Sequence, residues 1–138
     1  MRFFARVTKR AGFVVMGSRT RRMIPKPLAD RAVVILTRAG GPMPPIPQAE
    51  TYTNASPAEV LNMAAQWGKY KQAVIAGGTK VNTAFLQAGL VDEVWLSRVP
   101  VFLRAGAPVA SVPWEDDFPV RSFVSQADQV WLVKYRKA

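Results

Sequence analysis

The chain has 138 residues, the length of one ordinary domain, of which 49% are hydrophobic and 20% charged. This balance is typical of a folded globular protein, so we expect one domain over residues 1–138. Because the sequence contains no cysteine and no histidine, it excludes disulfides, thiol nucleophiles, Cys/His zinc sites and histidine-based proton transfer, and we predict no metal site.

Positive charge is concentrated at the start of the chain. The formal net charge is +10 at pH 7, and residues 1–29 contain eight Lys or Arg residues and no acid. Such a surface attracts a phosphorylated small molecule or a nucleic acid, although scattered basic residues are more often solvated surface. The apolar run Phe13–Met16 inside this segment is typical of a core strand rather than of an organellar transit peptide. Since no apolar run is long enough for a membrane span or a signal peptide, we expect a cytoplasmic protein without a membrane partner.

The first predicted elements are a helix, a strand and a second helix. Apolar and basic residues alternate at near-helical spacing over Arg2–Ala11, and Gly12 ends this helix. The next run, Phe13–Met16, indicates a buried strand. Ser18 can then cap a helix that runs toward Ile24, before two prolines stop it.

The middle of the chain predicts two strands, a surface loop and a well-capped helix. Ala32–Thr37 is a second buried strand, and the Gly- and Pro-rich segment Ala39–Gln48 is a surface loop. Glu50–Thr53 is a short strand. Ser56–Glu59 supplies a serine N-cap, a proline at the first helical position and a glutamate for a capping box, and the helix extends to about Tyr70.

The C-terminal half continues the alternation of strands and helices. A third apolar strand, Gln72–Ala76, leads through Gly77-Gly78-Thr79 into the next helix. The remaining predicted elements are a helix over Lys80–Ala88 that Gly89 ends, a strand over Val91–Val99, and an antiparallel pair over Val120–Val124 and Gln129–Arg136. Because strands buried on both faces are typical of parallel sheets, the predicted fold class is α/β, a mainly parallel sheet with flanking helices and a C-terminal antiparallel pair.

Three strand ends carry groups suited to phosphate, and ligands of open α/β sheets bind at the carboxyl ends of the strands. Gly77-Gly78-Thr79 combines a backbone open to a bulky anion with a hydroxyl at a helix start. Gly17-Ser18-Arg19-Thr20 adds hydroxyls and a guanidinium, and Leu36-Thr37-Arg38 ends a strand in a hydroxyl and a cation. Each also has a plain structural interpretation, as a tight turn, a helix cap or a polar strand end. Together they favour a ligand with several phosphates, such as a dinucleotide.

Several segments resemble the dihydrofolate reductase family in both their residues and their order. The core block of that family is similar to Met16–Thr20 followed by Ile24, Pro27–Arg31 and the strand to Arg38, and its second glycine motif is similar to Ala76–Thr79. The segments Gly89–Glu93 and Arg98–Val101 are more similar to the reductase domain of riboflavin biosynthesis. The resemblance covers almost the whole chain.

The resemblance implies a dihydrofolate reductase-like fold with NADPH as the cofactor. Arg19 and Arg38 would lie by the adenosine 2′-phosphate, while Thr20 and the glycine turn would hold the pyrophosphate. The full set of cofactor-binding residues that it implies is Gly17, Ser18, Arg19, Thr20, Leu36, Thr37, Arg38, Ala76, Gly77, Gly78, Thr79, Lys80 and Val81. Phe4, Ile24 and Leu28 would wall the substrate pocket. Arg31 would hold the carboxylate of a folate tail, although it could equally be a surface ion-pair partner of Asp30.

The start of the chain departs from the family pattern. Family members begin with a central strand, a loop over the nicotinamide and an acid that assists substrate protonation, and by the resemblance all three would precede Met1. We therefore expect a domain without its first central strand, completed by an upstream segment or paired as a homodimer. The catalytic residues stay unknown.

The predicted function is an NADPH-dependent reductase of dihydrofolate or a related pterin or pyrimidine substrate, weakly active or inactive in this form. One alternative is an α/β scaffold that binds a nucleotide without turning it over. Another is a basic nucleic-acid-binding module that uses Trp67, Trp95, Trp114 and Trp131. The tryptophans are scattered and form no RNA-binding motif, so a small molecule is the favoured partner.

Overall fold

A computed structural model of the chain describes residues 2–98, 106–127 and 130–138. Its helices are α1 (Arg2–Ala11), α2 (Ser18–Met23), α3 (Pro57–Gln66) and α4 (Thr79–Gln87), with a 3-10 turn over Glu115–Asp117. Its strands are β1 (Phe13–Gly17), β2 (Ala32–Gly41), β3 (Glu50–Thr53), β4 (Val74–Ile75), β5 (Glu93–Arg98), β6 (Val120–Ala127) and β7 (Val130–Arg136). No helix in these ranges has the length and apolar character needed to span a membrane.

Four strands form a parallel sheet in the order β3-β2-β1-β4. The central strands β1 and β2 each begin with four consecutive buried residues because both faces of the sheet are covered there, as is typical of parallel sheets. On one face, Phe13 and Val34 pack with Phe85 of α4. On the other, Met16 and Ile35 form a second apolar cluster. The predicted α/β class with a mainly parallel sheet is confirmed.

The three C-terminal strands form an antiparallel sheet in the order β5-β7-β6. The predicted antiparallel pair is confirmed, and β5 extends it because residues 93–98 pair with β7 as well. One face of this sheet carries an apolar cluster of Trp114, Phe118, Val133 and Tyr135.

Two helices span the boundary between the sheets. In α4, Phe85 belongs to the core of the parallel sheet, whereas Leu86 packs against the cluster of the antiparallel sheet. Helix α1 contacts β1 and β4, while its Phe3 ring stacks on Trp95 of β5 with centroids 5.5 Å apart. Within the described part of the chain, β4 pairs only with β1 and β5 only with β7, so each sheet keeps one open edge at this boundary.

The helix beginning at residue 57 follows the sequence prediction closely. The Ser56 side chain accepts a hydrogen bond from the Glu59 backbone N–H (3.2 Å), and Pro57 occupies the first turn. Glu59 completes the interaction by accepting from the Ser56 hydroxyl (3.2 Å) rather than from its backbone N–H. The cap therefore satisfies one of the amides that the first turn leaves without a partner.

Several predicted boundaries are wrong. Ser18 is not an N-cap: β1 runs to Gly17, which takes the cap position, and no side chain caps α2. The loop predicted from Ala39 begins later because β2 continues to Gly41, which pairs with Thr53. Helix α3 ends at Gln66 rather than near Tyr70.

The early end of α3 has a packing reason. Gly68 has φ +70°, a left-handed conformation that glycine adopts without a steric penalty, and the chain turns there. The turn lets Trp67 and Tyr70 place their rings 5.8 and 5.6 Å from the Phe13 ring. The strand predicted over Gln72–Ala76 is likewise reduced to Val74–Ile75. The predicted strand residues Val99 and Gln129 lie outside the described residues.

Candidate functional site

The carboxyl ends of β1 and β4 meet at their glycines. The Gly17 backbone N–H donates to the Gly77 carbonyl oxygen (2.8 Å), which continues the pairing that joins Ala76 to Val15 (2.8 Å). Gly77 is buried, has φ +100°, and is joined to Gly78 by a cis peptide bond. Two of the three strand ends predicted from the sequence are therefore in direct contact.

Of the glycines at this junction, Gly17 is tightly packed, whereas Gly78 is exposed and an added Cβ there would make an ordinary van der Waals contact. A Cβ atom added to Gly17 would lie 3.2 Å from Cγ2 of Val81, and one added to Gly78 would lie 3.5 Å from the Thr20 hydroxyl oxygen. The absence of side chains thus lets β1, α2 and the first turn of α4 approach one another closely. The structure brings Gly17, Thr20, Gly77, Gly78 and Val81 into one cluster, which we call the glycine junction.

The first turn of α4 adds to this junction backbone N–H groups that have no hydrogen-bond partner among the described residues. The first helical hydrogen bond runs from the Asn82 N–H to the Gly78 carbonyl oxygen (2.9 Å), so the amides of residues 79–81 precede it. Such amides and the helix dipole attract anions. Lys80 is exposed beside them.

A loop over residues 106–112 packs on the same turn. The Thr79 hydroxyl donates to the Pro108 carbonyl oxygen, and the Asn82 side-chain amide donates to the Val109 carbonyl oxygen (2.9 Å). The Thr83 hydroxyl accepts from the Ser111 backbone N–H (2.8 Å). The Thr79 hydroxyl predicted to contact phosphate thus gives its hydrogen to the loop and keeps its lone pairs, so in this arrangement it cannot donate to an anion. The sequence showed no sign of these contacts.

Arg38 lies on a break in the pairing of β2 with β3. Leu36 and Gly41 are both opposite Thr53, so the four residues 37–40 leave the ladder. At Gly40 the chain comes back to β3, so closely that an added Cβ would lie 2.5 Å from the Thr53 backbone. The Thr53 hydroxyl fixes the end of this excursion by donating to the Gly41 carbonyl oxygen (2.6 Å). The arrangement leaves Arg38 exposed, as the sequence predicts for a phosphate contact.

Helix α2 carries the remaining residues that the sequence predicts to bind phosphate. Ser18 and Thr20 are half-buried and Arg19 is exposed. Neither Arg19 nor Arg38 has an ion-pair partner among the described residues. Both guanidinium groups are therefore available to an anion.

The predicted substrate wall lies on the face of the parallel sheet that α2 flanks. Ile24 and Leu28 pack on the cluster of Met16 and Ile35, together with Ala76, and Phe4 is half-buried on α1. The structure thus places Ile24 and Leu28 on one apolar surface.

Arg31 makes three hydrogen bonds, two to α1 and one to the segment before β2. Its Nε donates to the Thr8 hydroxyl (3.0 Å), one Nη to the Ala5 carbonyl oxygen (3.0 Å) and the other to that of Ala29 (2.6 Å). A guanidinium has five N–H donors, so two remain for a ligand. Asp30 is not its partner: this carboxylate lies 3.9 Å from Lys9. The alternative of an Arg31–Asp30 ion pair is wrong.

The carboxylates next to the substrate wall already face cations. Asp30 pairs loosely with Lys9 at an exposed position, and Glu50 lies 2.6 Å from Nε of Arg21 with both side chains mostly buried. The Arg21–Glu50 pair joins residues 29 positions apart and was not predicted. No described carboxylate near this wall is therefore left without a basic partner.

Comparison with known proteins agrees with this architecture. Residues 1–117 match the dihydrofolate reductase family. The crystal structure of a protein assigned by name to riboflavin biosynthesis, from Shewanella sp. PV-4, aligns with a TM-score of 0.74 over 98% of this chain and 78% of that chain, at 19% identity. No curated protein sequence matches the chain. The structural likeness establishes the dihydrofolate reductase-like fold, and since the family match extends over most of the sequence, the chain belongs to the dihydrofolate reductase family.

Proposed function

We propose that this chain is an NADPH-dependent reductase of dihydrofolate or of a related pterin or pyrimidine substrate. The observation that carries the proposal is the glycine junction, where the Gly17–Gly77 hydrogen bond joins two strand ends beside the first turn of α4. Family membership supports the reaction class. That the reduced heterocycle is a pterin or a pyrimidine is likewise proposed.

The residues of the junction fit a dinucleotide. Glycine at positions 17, 77 and 78 keeps side chains away from the backbone where a pyrophosphate needs close approach, and the amides of residues 79–81 supply donors. Ser18 and Thr20 add hydroxyl groups, and Leu36, Thr37 and Ala76 border the strand ends. NADPH, when bound, supplies the hydride for the reduction.

Preference for NADPH over NADH would come from Arg19 and Arg38. Both are exposed and without an ion-pair partner in the described part of the chain, which suits them to a doubly charged 2′-phosphate. Lys80 lies at the start of α4 and adds positive charge near the pyrophosphate. These cations bind and orient the cofactor without moving a proton.

Substrate binding would use the apolar wall and Arg31. Ile24 and Leu28 offer a surface for a flat heterocycle, and Phe4 on α1 would face it. Because Arg31 keeps two N–H donors after its bonds to Thr8, Ala5 and Ala29, it can bind a carboxylate or a phosphate bidentately. The three bonds fix its guanidinium before the ligand arrives, which lowers the entropic cost of binding.

We also propose that turnover by this chain alone is slow. Among the described residues, the edges of β4 and β5 leave backbone groups without a strand partner, and an extended segment pairing with both would complete the sheet. Asp30 and Glu50 face Lys9 and Arg21, so no described carboxylate without a basic partner lies near the substrate wall. Hydride transfer tolerates little misplacement of its partners, so an unfinished sheet would impair it strongly.

Fluorescence titration with NADPH and NADH tests the proposal. We expect NADPH to bind more tightly than NADH, and Arg19→Ala or Arg38→Ala to remove about 1.5 kcal/mol of that preference each, the lower end for a hydrogen bond between charged groups. Arg22→Ala is the matched control, since Arg22 is an exposed residue of α2 that makes no hydrogen bond or ion pair with another described residue.

Other outcomes separate the alternatives. Equal affinity for both cofactors, unchanged in the variants, would contradict the roles of Arg19 and Arg38. Failure to bind either cofactor, together with tight and salt-sensitive RNA binding, would favour a nucleic-acid-binding module. Rapid reduction of dihydrofolate by the chain alone would contradict slow turnover and leave cofactor binding intact.

A further inference from the structure

Helix α2 is poorly stabilised by its own sequence. It has six residues, no side chain caps its N-terminus, and none of its residues is buried. Isolated helices of this length are unstable in water, so contacts outside the helix must hold it. Its position matters because it carries Ser18, Arg19 and Thr20 and leads directly into Ile24.

Among the described residues, the Arg21 side chain makes the polar contacts that fix the C-terminal end of α2. Arg21 donates from Nε to Oε1 of Glu50 on β3 (2.6 Å) and from Nη1 to the Ile24 carbonyl oxygen (3.1 Å). The Arg21 and Glu50 side chains are 19% and 23% exposed, so water competes little for these bonds. Tyr52 lies beside the pair, with its hydroxyl 3.4 Å from the other Glu50 oxygen.

The geometry of these contacts joins three parts of the molecule. Glu50 is opposite Val33 at the start of β3, on the face where Ile24 and Leu28 pack. Arg21 therefore fastens the C-terminal turn of α2 to the sheet and, through the Ile24 carbonyl, the substrate wall to α2. The cation also lies in the last turn of the helix, where the helix dipole favours positive charge.

We propose that Arg21 and Glu50 are a positioning pair that holds α2 in register with the glycine junction. The effect of this pair on ligand binding rests on the proposed function. We assign the pair no direct contact with the cofactor or the substrate. It also neutralises Glu50, so that an acidic side chain on the binding face does not oppose an anionic ligand.

Two readouts on Arg21→Gln and Glu50→Gln test the proposal. The first is amide hydrogen exchange of residues 22–24 in the ligand-free protein, which we expect to accelerate about tenfold when a mostly buried charge-assisted bond is lost. The second is the Kd for NADPH, expected to rise about fivefold, with Arg21→Gln the larger effect because it also removes the bond to Ile24. Arg22→Gln is the matched control, with no change expected.

A charge exchange separates a specific pair from a general loss of stability. The double variant Arg21→Glu with Glu50→Arg is expected to recover part of the NADPH affinity that each single exchange loses. Unchanged exchange rates and affinity in the glutamine variants would overturn the proposal, as would a charge exchange without any recovery. If the unaltered chain does not bind NADPH, the proposed function fails, and hydrogen exchange alone then decides whether the pair holds α2.

Discussion

The two sheets of this chain use their residues in different ways. In the parallel sheet, consecutive residues such as Val14 and Val15 are fully buried because both faces are covered. In the antiparallel sheet, Val94 packs in an apolar cluster while its neighbour Trp95 is 38% exposed. The parallel sheet therefore supplies most of the core, and the antiparallel sheet a half-solvated flank.

The sheets also differ in what their cations contact. Arg98 and Arg121 lie over the Tyr135 ring, 5.7 and 5.2 Å from its centroid, and Lys134 lies over Trp95. Arg19 and Arg38, beside the parallel sheet, have no ion-pair partner among the residues described. Arg98, Arg121 and Lys134 therefore stabilise the antiparallel sheet, whereas Arg19 and Arg38 beside the parallel sheet are available to an anionic ligand.

The largest expected effect is a loss of stability, and it tests whether the parallel sheet supplies most of the core. Phe13→Ala should lower the free energy of unfolding by about 3–5 kcal/mol, because its ring is fully buried between Trp67, Tyr70 and the sheet. Val124→Ala on β6, 40% exposed, is the control, with a change within about 0.5 kcal/mol. Denaturant unfolding measures both. An equal loss of unfolding free energy in the two variants would contradict the view that the parallel sheet supplies most of the core.

Substitutions at the neighbouring glycines Gly40 and Gly41 test whether Arg38, beside the parallel sheet, binds an anionic ligand. Gly40→Ala would place a Cβ 2.5 Å from the Thr53 backbone, so residues 37–40 must move and displace Arg38. We expect the Kd for NADPH to rise about tenfold while that for NADH changes little. At Gly41 an added Cβ meets nothing within 4 Å, so Gly41→Ala should leave both values unchanged. An equal effect at the two positions would exclude this steric cause.

The smallest effect concerns the antiparallel sheet. The Tyr135 hydroxyl accepts from Nε of Arg98 (3.0 Å), so Tyr135→Phe should lower the free energy of unfolding by about 1 kcal/mol. The affinity for NADPH should not change, because Tyr135 lies in the cluster of Trp114 and Phe118, which contains no residue of the glycine junction. Calorimetry and cofactor titration on the same variant check this. A weakened cofactor affinity would show that the two sheets are coupled.

Local signals in the sequence predicted much of the fold. Ser56, Pro57 and Glu59 fix a helix start within four residues, and the apolar runs from Phe13 and Ala32 need no distant partner to be recognised as strands. Where the prediction was wrong, distant contacts decided the outcome. Thr53 extends β2 to Gly41, and packing on Phe13 ends α3 before Tyr70.

The candidate site divides in the same way. Gly17 and Gly77 could be predicted because each follows an apolar strand, and their contact follows from the topology of a parallel sheet. The bonds from Arg21 to Glu50 and from Thr79 to Pro108 could not, because both join residues 29 positions apart and depend on how the loops pack. The cofactor-binding roles of the predicted residues stay predictions.

The break in the pairing of β2 with β3 also determines which substitutions the chain can accept at residues 37–40. Because the ladder resumes at Gly41 opposite the same Thr53 that pairs with Leu36, the register of β3 does not depend on the four residues between them. The side chains of residues 37–39 can vary through mutation while the strands on either side stay paired, whereas position 40 is restricted to glycine because an added Cβ would lie 2.5 Å from the Thr53 backbone. On the proposed function, in which Arg38 binds the 2′-phosphate, selection or protein engineering could exchange these side chains to alter which nucleotide is preferred, with the core of the molecule untouched.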